Sequence, residues 1–226
     1  VDDVLDVDPS PPRVTFDGLG ADEDWRKGVR LSEFWLHRMA VAPRPFGERM
    51  AWFWHGHIPS ALGKVGSAEL MREQIDTWRT RGVDGDVASI VKEISLQGAM
   101  LRYLDNDRNF ANSPNQNFAR ELMELFLLGV GNYREADVEA ATAAWTGHTV
   151  DWRTGVYEFL PPAPADRPWE PGHDPTPQTF LGRTINGGSR PHADAGFEMI
   201  DVVLGTGPLG AGTVPTGPNA GRSSAL

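Results

Sequence analysis

A short run of polar residues in an otherwise apolar stretch is the first place where this sequence could do chemistry. Residues 113–129 read SPNQNFARELMELFLLG. At ~100° per residue, Asn117, Arg120, Glu121 and Glu124 share one arc of about 100° on a helix. The other positions are mostly apolar, so the helix is predicted to be buried, with its polar arc facing the interior or a cleft. Buried carboxylates need partners or a metal ion.

This polar arc supports two interpretations. In the first, Glu121 acts as a general base or a metal ligand, with Asn117 beside it and Glu124 as a further ligand. In the second, the same groups form a buried hydrogen-bond network that ties helices together. Arg120 and Glu124 are four residues apart and are therefore predicted to pair. That pairing would leave Glu121 to find its partner elsewhere.

Two histidines supply the other half of the candidate site. Residues 50–58, MAWFWHGHI, place His55 and His57 among large aromatic residues. Two residues apart on a helix, the rings lie about 200° apart, so a continuous helix does not let them chelate one ion. The alternative is that both are structural histidines packed among aromatic rings. Glu48 and Trp52 share a face with His55, and Glu48 is a candidate partner that would fix its tautomer.

The sequence therefore predicts that Glu121 faces His55 and His57. Together with Asn117 they would form the catalytic set of a hydrolytic or metal-assisted enzyme. A divalent metal is the candidate cofactor, with His55, His57, Glu121 and Glu124 as its ligands. The competing prediction is a non-catalytic interaction or scaffold domain, in which the same residues form a structural polar network.

A third candidate is the pair His173–Asp174 in a proline-rich loop. A His–Asp pair on a loop can serve a metal ion or a proton relay. An Asp that precedes a proline is also an ordinary turn residue. His37, His148 and His192 are treated as incidental.

Caps and apolar spacing predict the elements that must position these residues. We expect a mainly α-helical bundle of about six helices. Ser67 is the predicted cap of one helix, and Gly98 weakens another in its middle. The helical segments cover residues 22–42, 46–58, 68–81, 86–105, 114–128 and 135–147, with a further helix at 193–204.

The segment 114–128 carries the strongest local signals and is predicted to be the centre of the domain. Ser113 is the expected N-cap, Pro114 the first helical residue and Gln116 the partner in a capping box. Gly129 is placed to close the helix in a left-handed conformation. The spacing also predicts that three apolar residues on one stripe are among the most buried, namely Phe118, Leu122 and Leu125.

After residue 147 the pattern changes. HTVDW and GVYEFL predict a small two-stranded β-ribbon after residue 148, and TFLGRTI a third short strand. Residues 1–21 are predicted to be an N-terminal extension. Residues 22–204 form one mainly helical domain that includes the ribbon and proline-rich loop at 148–185. Residues 205–226 are rich in Gly and Pro and are predicted to be a disordered tail.

Composition excludes several classes of protein. Among 226 residues, 21 Lys and Arg against 31 Asp and Glu give a formal net charge of −10, so an acidic chain that does not bind nucleic acid is expected. The absence of Cys excludes disulfides and thiolate metal sites. No apolar run reaches the ~20 residues of a membrane span, and no signal peptide is visible, so a cytoplasmic location is the default expectation. The substrate would be a small molecule or a polymer, and Trp152 and Trp169 hint at carbohydrate or polymer binding.

Five segments occur in an order that is familiar as a whole: MAWFWHGHI, LRYLDNDRN, PNQNFARELMELFLLGVGNY, DVEAATAAWTG and HDPTPQTFLG. Over residues 22–204 the chain resembles the bacterial family known as domain of unknown function 1800. The resemblance implies a mainly helical fold and no established reaction. Members of the family are commonly longer, so it also implies a truncated or fragmentary member. A missing C-terminal half would expose an apolar patch and favour self-association.

Overall fold

The computed structural model describes residues 13–20, 22–43, 45–83, 86–186 and 192–206. The fold is mainly helical, as predicted, with nine α-helices in this part of the chain rather than about six. They are α1 (Asp24–Val41), α2 (Pro45–His57), α3 (Leu62–Val65), α4 (Ala68–Arg81), α5 (Val87–Ser95), α6 (Gly98–Tyr103), α7 (Asn117–Glu121), α8 (Glu135–Ala144) and α9 (Ala195–Leu204).

The chain divides into two compact units, and the boundary falls inside α5, between Ile90 and Val91. The expectation of a single domain over residues 22–204 stays a prediction beside this division. Each unit is described by itself.

The first unit is built on α1 to α4. Ser67 caps α4 as predicted, since its hydroxyl accepts a hydrogen bond from the backbone N–H of Leu70 at 3.4 Å. The Asp24 carboxylate accepts from the N–H of Ala68 at 2.9 Å and so ties the start of α1 to the start of α4. The buried rings of Trp54 and Trp78 stack with centroids 5.8 Å apart, which places the core between α2 and α4.

The predicted helix over 86–105 is two helices, and that prediction was wrong in its middle. The chain leaves α5 after Ser95 and resumes as α6 at Gly98. Glycine costs up to ~1 kcal/mol within a helix, so a break beside Gly98 is the cheaper arrangement. After α6 the chain turns at Asp105, which adopts a left-handed backbone with φ 58°.

The predicted helix over 114–128 exists, but its first and last turns differ from expectation. It begins at Asn117, because Ser113 forms an antiparallel bridge with Phe110 instead of capping the helix. Asn115 takes the capping role, with its side-chain oxygen accepting from the N–H of Asn117 at 3.0 Å. The predicted cap at Ser113 and the capping box at Gln116 were therefore wrong. Gly129 closes the segment with φ 81°, as predicted.

From Leu122 to Leu127 the same segment continues as a π-helix. A π turn encloses one residue more than an α turn, so side chains beyond it fall out of the α-helical phase. Phe118 and Leu122 are buried as predicted, whereas Leu125 is 60% exposed and that prediction was wrong. Met123 and Phe126 are buried in its place.

Two separate antiparallel hairpins follow in the described part of the second unit. The predicted ribbon is confirmed: β1 (His148–Val150) pairs with β2 (Tyr157–Phe159), with His148 opposite Phe159. Where one further strand was predicted, the chain makes a second hairpin of β3 (Gln178–Phe180) and β4 (Arg183–Ile185). Its two turn residues, Leu181 and Gly182, both have positive φ, the geometry of a tight hairpin turn.

The core of the second unit surrounds Trp145. Its ring contacts the edge of Phe118 with centroids 4.9 Å apart. Helix α9 packs against the other side, where a Cβ on Gly196 would lie 2.4 Å from a ring carbon of Trp145. Only glycine permits that approach, so the position of α9 depends on Gly196.

Two predictions fall largely outside the described residues. Helix α9 ends in the left-handed Gly205, and the tail predicted to be disordered lies beyond Thr206, outside the described part of the chain. Of the predicted extension, residues 13–20 are described, and the Arg30 guanidinium donates to the carbonyl oxygen of Asp17 at 3.0 Å. Within the described residues, none of the helices has both the length and the apolar character needed to cross a membrane.

Candidate functional site

The residues of the predicted polar arc lie in the second unit, at the end of α7 and in the π-helical turn. Asn117 donates from its side-chain amide to the carbonyl oxygen of Leu104 at 3.2 Å, and so helps to close α6. Glu124 accepts from the Tyr133 hydroxyl at 2.6 Å. Glu121 is half-buried and has no hydrogen-bond or ion-pair partner among the described residues. Of the two carboxylates in the polar arc, Glu121 is therefore the one that has no bonding partner among the described residues.

Arg120 does not pair with Glu124, so that prediction was wrong. Its guanidinium donates to the Glu135 carboxylate at 2.7 Å and to the Gln116 side-chain oxygen at 2.9 Å. The hydrogen bond to Glu135 raises the pKa of Arg120 above its usual value. The π-helical turn begins at Leu122, between Arg120 and Glu124, and removes the four-residue register on which the prediction depended.

The two candidate histidines lie in the first unit, near the end of α2. The His55 ring meets the edge of Trp35 with centroids 5.4 Å apart, and its Nδ1 atom is buried without a hydrogen-bond partner among the described residues. Burial lowers the pKa of His55, which favours the neutral ring. His57 stacks on Phe53 with centroids 6.2 Å apart. Glu121 belongs to the other unit, so its predicted pairing with either histidine stays a prediction.

Metal binding finds no support in side-chain clustering. Across the described ranges, no group of three or more His, Asp or Glu side chains is arranged to hold a metal ion. The metal role assigned to His55, His57, Glu121 and Glu124 therefore stays a prediction.

Glu48, the predicted partner of His55, has a different role. It is buried, and its Oε1 atom accepts from Arg38 at 3.1 Å and from Arg79 at 2.7 Å. Arg79 also pairs with Asp76, whose second oxygen lies 3.3 Å from Arg13. Burial raises the pKa of Asp76 above its usual value, against the lowering effect of Arg79. We call these five residues the charged network of the first unit.

His173 and Asp174 lie within the second unit as parts of a buried polar network. The Nδ1 atom of His173 is 2.9 Å from the Thr146 carbonyl oxygen, and its Nε2 atom is 3.0 Å from the Asn186 side-chain oxygen. The Asn186 amide nitrogen donates to the carbonyl oxygens of Asp174 and Thr176, which fixes which end of that side chain faces His173. Both ring nitrogens thus lie within hydrogen-bond distance of acceptors in the fold.

This network depends on close approach of the backbone. A Cβ on Gly147, which has φ 82°, would lie 2.6 Å from the Leu160 carbonyl oxygen and 3.0 Å from the Cβ of His173. The backbone N–H of Asn186 completes the network by donating to the buried Glu198 carboxylate at 2.7 Å. We call Thr146, His173, Asn186 and Glu198 the neighbouring-loop network of the second unit.

His148, which was expected to be incidental, is fully buried on β1. Its Nδ1 atom lies 3.0 Å from the Tyr157 hydroxyl, and its Nε2 atom has no partner in the described part of the chain. Burial, followed by the positive charge of His173, lowers the pKa of His148 to about 3. Burial also raises the pKa of Tyr157 to about 12, so the phenol keeps its proton and can donate to the neutral ring.

A pair of acidic residues after α6 was also missed. Asp105 holds its left-handed backbone immediately before a short 3-10 turn, Asn106–Arg108. Burial raises the pKa of Asp107; Arg108 opposes that rise and the Asp105 carboxylate adds to it. The Oδ1 atom of Asp107 is buried without a partner among the described residues. The signal in the sequence was the dense polar run LDNDRN, which spacing rules do not assign to any element.

The comparisons with known proteins bear on the family alone. The family described as "Protein of unknown function (DUF1800)" matches residues 17–206, which is most of the chain. The chain belongs to this family. The expected membership is thereby confirmed. Comparison with curated proteins and with solved structures finds no match.

Proposed function

We propose that this domain is a non-catalytic interaction domain, in which the polar residues singled out by the sequence hold its own segments together. The observation that carries the proposal is that most of these residues are bonded within the fold, with Glu121 and the His55 Nδ1 atom as the exceptions among the described residues. Glu48 joins Arg38 and Arg79, Glu124 joins Tyr133, and His173 joins Asn186. A general acid or base must direct a lone pair or a proton at a substrate, whereas these side chains are oriented by partners within the fold.

The exposed surface supports the same proposal. Several large apolar side chains are more than half exposed in the first unit: Trp25, Leu36, Val41, Trp52 and Phe53. Scattered exposed apolar residues are ordinary, but aromatic side chains are enriched at protein interfaces. Polar residues turned inward with aromatic residues turned outward are what a domain that binds another surface needs.

A turnover screen tests this proposal against catalysis. Purified chain is assayed on chromogenic carboxyl esters, phosphoesters and glycosides, beside the variants Asp107→Asn and Glu121→Gln and the surface control Glu139→Gln. We expect no turnover that depends on Asp107 or Glu121. Turnover that is lost in those two variants and kept in the control would overturn the proposal.

A second candidate function is a hydrolytic or metal-assisted enzyme, favoured by the half-buried Glu121 and by the buried Oδ1 atom of Asp107, which has no partner among the described residues. Asp107 has a raised pKa, as a general acid requires, and Glu121 is half-buried without a partner among the described residues. The predicted histidines His55 and His57 would belong to the metal-assisted form. Elemental analysis of chain purified without a histidine tag separates that form, since near-stoichiometric metal that falls away in Glu121→Gln would favour it.

A further inference from the structure

Helix α1 presents an apolar stripe to solvent along most of its length. Trp25 is 70% exposed, Val29 is 47% exposed and Leu36 is 61% exposed. At ~100° per residue, these three fall within about 40° of one another on the helix surface. Ser32 and Ala40 continue the same arc and are exposed as well. The buried residues Leu31 and Trp35 lie about 100–140° around α1 from the centre of the stripe.

The stripe is complementary to itself when reversed. For a two-fold axis between Ser32 and Glu33, an antiparallel copy places Trp25 opposite Ala40 and Val29 opposite Leu36. The largest side chain thus meets the smallest, as interdigitating helix packing requires. At the axis, where two helices approach closely, the Ser32 hydroxyl donates to the Gly28 carbonyl oxygen of its own helix at 3.0 Å and needs no partner across the contact.

The spacing of the stripe suits a helix partner. Positions 25, 29, 32, 36 and 40 follow steps of four, three, four and four, close to the ~3.6 residues of a helical turn, so the stripe runs nearly along the helix axis. It extends from residue 25 to residue 40, or about 22 Å of helix. A stripe of this kind matches a straight helix of equal length. The α1 helix of a second copy of the chain meets that requirement.

The exposed apolar area of the stripe limits how strong the contact between two copies can be. Given their exposures, Trp25, Val29 and Leu36 present roughly 400 Å² per chain, about half of the ~800 Å² per partner in a standard interface. Interfaces of that size belong to weak, reversible complexes.

We propose that the α1 stripe binds the α1 stripe of a second copy of this chain, as an antiparallel and reversible two-fold contact. This rests on the proposed function, because it names the partner of an interaction domain. Homodimers with one two-fold axis are the commonest oligomers of soluble proteins, and the stripe meets their requirement that a surface complement itself.

Sedimentation velocity over a concentration series tests the contact. Wild type is expected to shift from monomer toward dimer as concentration rises. Leu36→Glu is expected to weaken dimerisation at least ~10-fold, because it places a charge in the apolar seam of both chains. Leu125→Glu is the matched control, since Leu125 is 60% exposed against 61% for Leu36 and lies in the second unit. Far-ultraviolet circular dichroism checks that both variants fold.

Disulfide trapping tests the register of the two α1 helices. The chain has no native cysteine, so a cross-link can form only through the introduced one. Ser32→Cys lies beside the proposed axis and is expected to cross-link to its own copy under mild oxidation. Glu139→Cys, exposed on α8, is the control and is expected to stay monomeric. Adding Leu36→Glu to Ser32→Cys is expected to abolish the cross-link.

Three results would overturn the contact. The first is a wild type that stays monomeric at the highest attainable concentration. The second is a dimer that Leu36→Glu leaves intact. The third is a monomer whose binding to phosphatidylglycerol vesicles is lost in Leu36→Glu, which would assign the stripe to a lipid surface. None of these touches the turnover screen, so the non-catalytic proposal stands or fails separately.

Discussion

The two units hold their buried polar groups together by different chemistry. In the first unit, the charged network joins Arg38 and Arg79 to Glu48, so helices are tied by full charges. In the second, the neighbouring-loop network joins His173 to Asn186, and backbone carbonyls serve as most of the remaining acceptors. Side chains on two packed helices must be long to bond to one another. In loops and hairpins, the backbone carbonyl oxygens themselves lie close enough to accept hydrogen bonds. The chemistry of each network therefore follows from the elements available to build it.

The largest effect is expected from Glu48→Gln in the charged network. Removing its charge leaves two buried guanidinium groups without their shared counter-ion, and breaking a buried ion pair in this way costs about 3–5 kcal/mol. Urea unfolding measures the loss. Glu135→Gln removes the partner of Arg120 from an exposed pair and should cost less than ~1 kcal/mol. Equal losses in the two variants would remove the distinction between buried and surface charges.

Asn186→Gly tests the second network. Glycine keeps the backbone at φ 57°, which alanine would strain, and removes only the side chain. His173 and two carbonyl oxygens lose their partner, so a loss of about 3 kcal/mol is expected in urea unfolding. Asn112→Ala removes two comparable bonds, to the Trp169 and Glu170 carbonyl oxygens, at an exposed position. Its loss should be well under half as large; a similar loss would mean that burial adds nothing to the second network.

His148 should make the second unit lose stability in acid. His148 has a pKa of about 3 when folded against 6.5 when free, so both states are neutral above about pH 6.5. As pH falls below that value, His148 binds a proton in the unfolded chain but stays neutral in the folded chain. Stability is then lost at about 1.4 kcal/mol per pH unit, or about 2 kcal/mol by pH 5.

Urea unfolding of His148→Gln at about pH 7 and about pH 5 checks this slope. The variant is expected to be less stable at the higher pH and to lose about 2 kcal/mol less than wild type on acidification. Parallel losses in both proteins would show that His148 does not carry the acid response.

The smallest effect is expected at the edge of the charged network. Arg13 pairs with Asp76 while its own side chain is 71% exposed, so solvent screens the pair. Arg13→Ala should lower the free energy of unfolding by less than ~1 kcal/mol. A loss as large as that of Glu48→Gln would mean that the network is cooperative out to its exposed end.

Local signals predicted most helices and failed where tertiary contacts chose between alternatives. Ser67 caps the start of its helix and Gly129 closes the end of its segment, as expected, because capping depends on the residue and its immediate neighbours. Ser113 was an equally good cap by its type, but its backbone bridges to Phe110 and Asn115 caps the helix instead. Leu125 failed because the phase of a helix is inferred by assuming regular turns, and the π-helical turn adds a residue.

The candidate site was harder to predict, since partners far apart in sequence decide what a polar residue does. Glu48 and Arg79 are 31 residues apart, and no pattern in either segment reveals their pairing. His148 was dismissed because a lone histidine carries no spacing signal, although its burial gives it one of the most altered pKa values in the described chain. His173 was predicted to be a loop residue open to ligands, whereas the structure places it in a buried network.

The wide turn at Leu122–Leu127 has a meaning for the history of this chain. It is the geometry that results when one residue is inserted into a regular helix while the flanking turns stay anchored. Phe118 and Gly129 are such anchors, one in the core and one closing the segment. Leu125, turned outward, is the residue that the surplus length displaces. Deleting one residue from this segment would let the turn close to ordinary helical pitch.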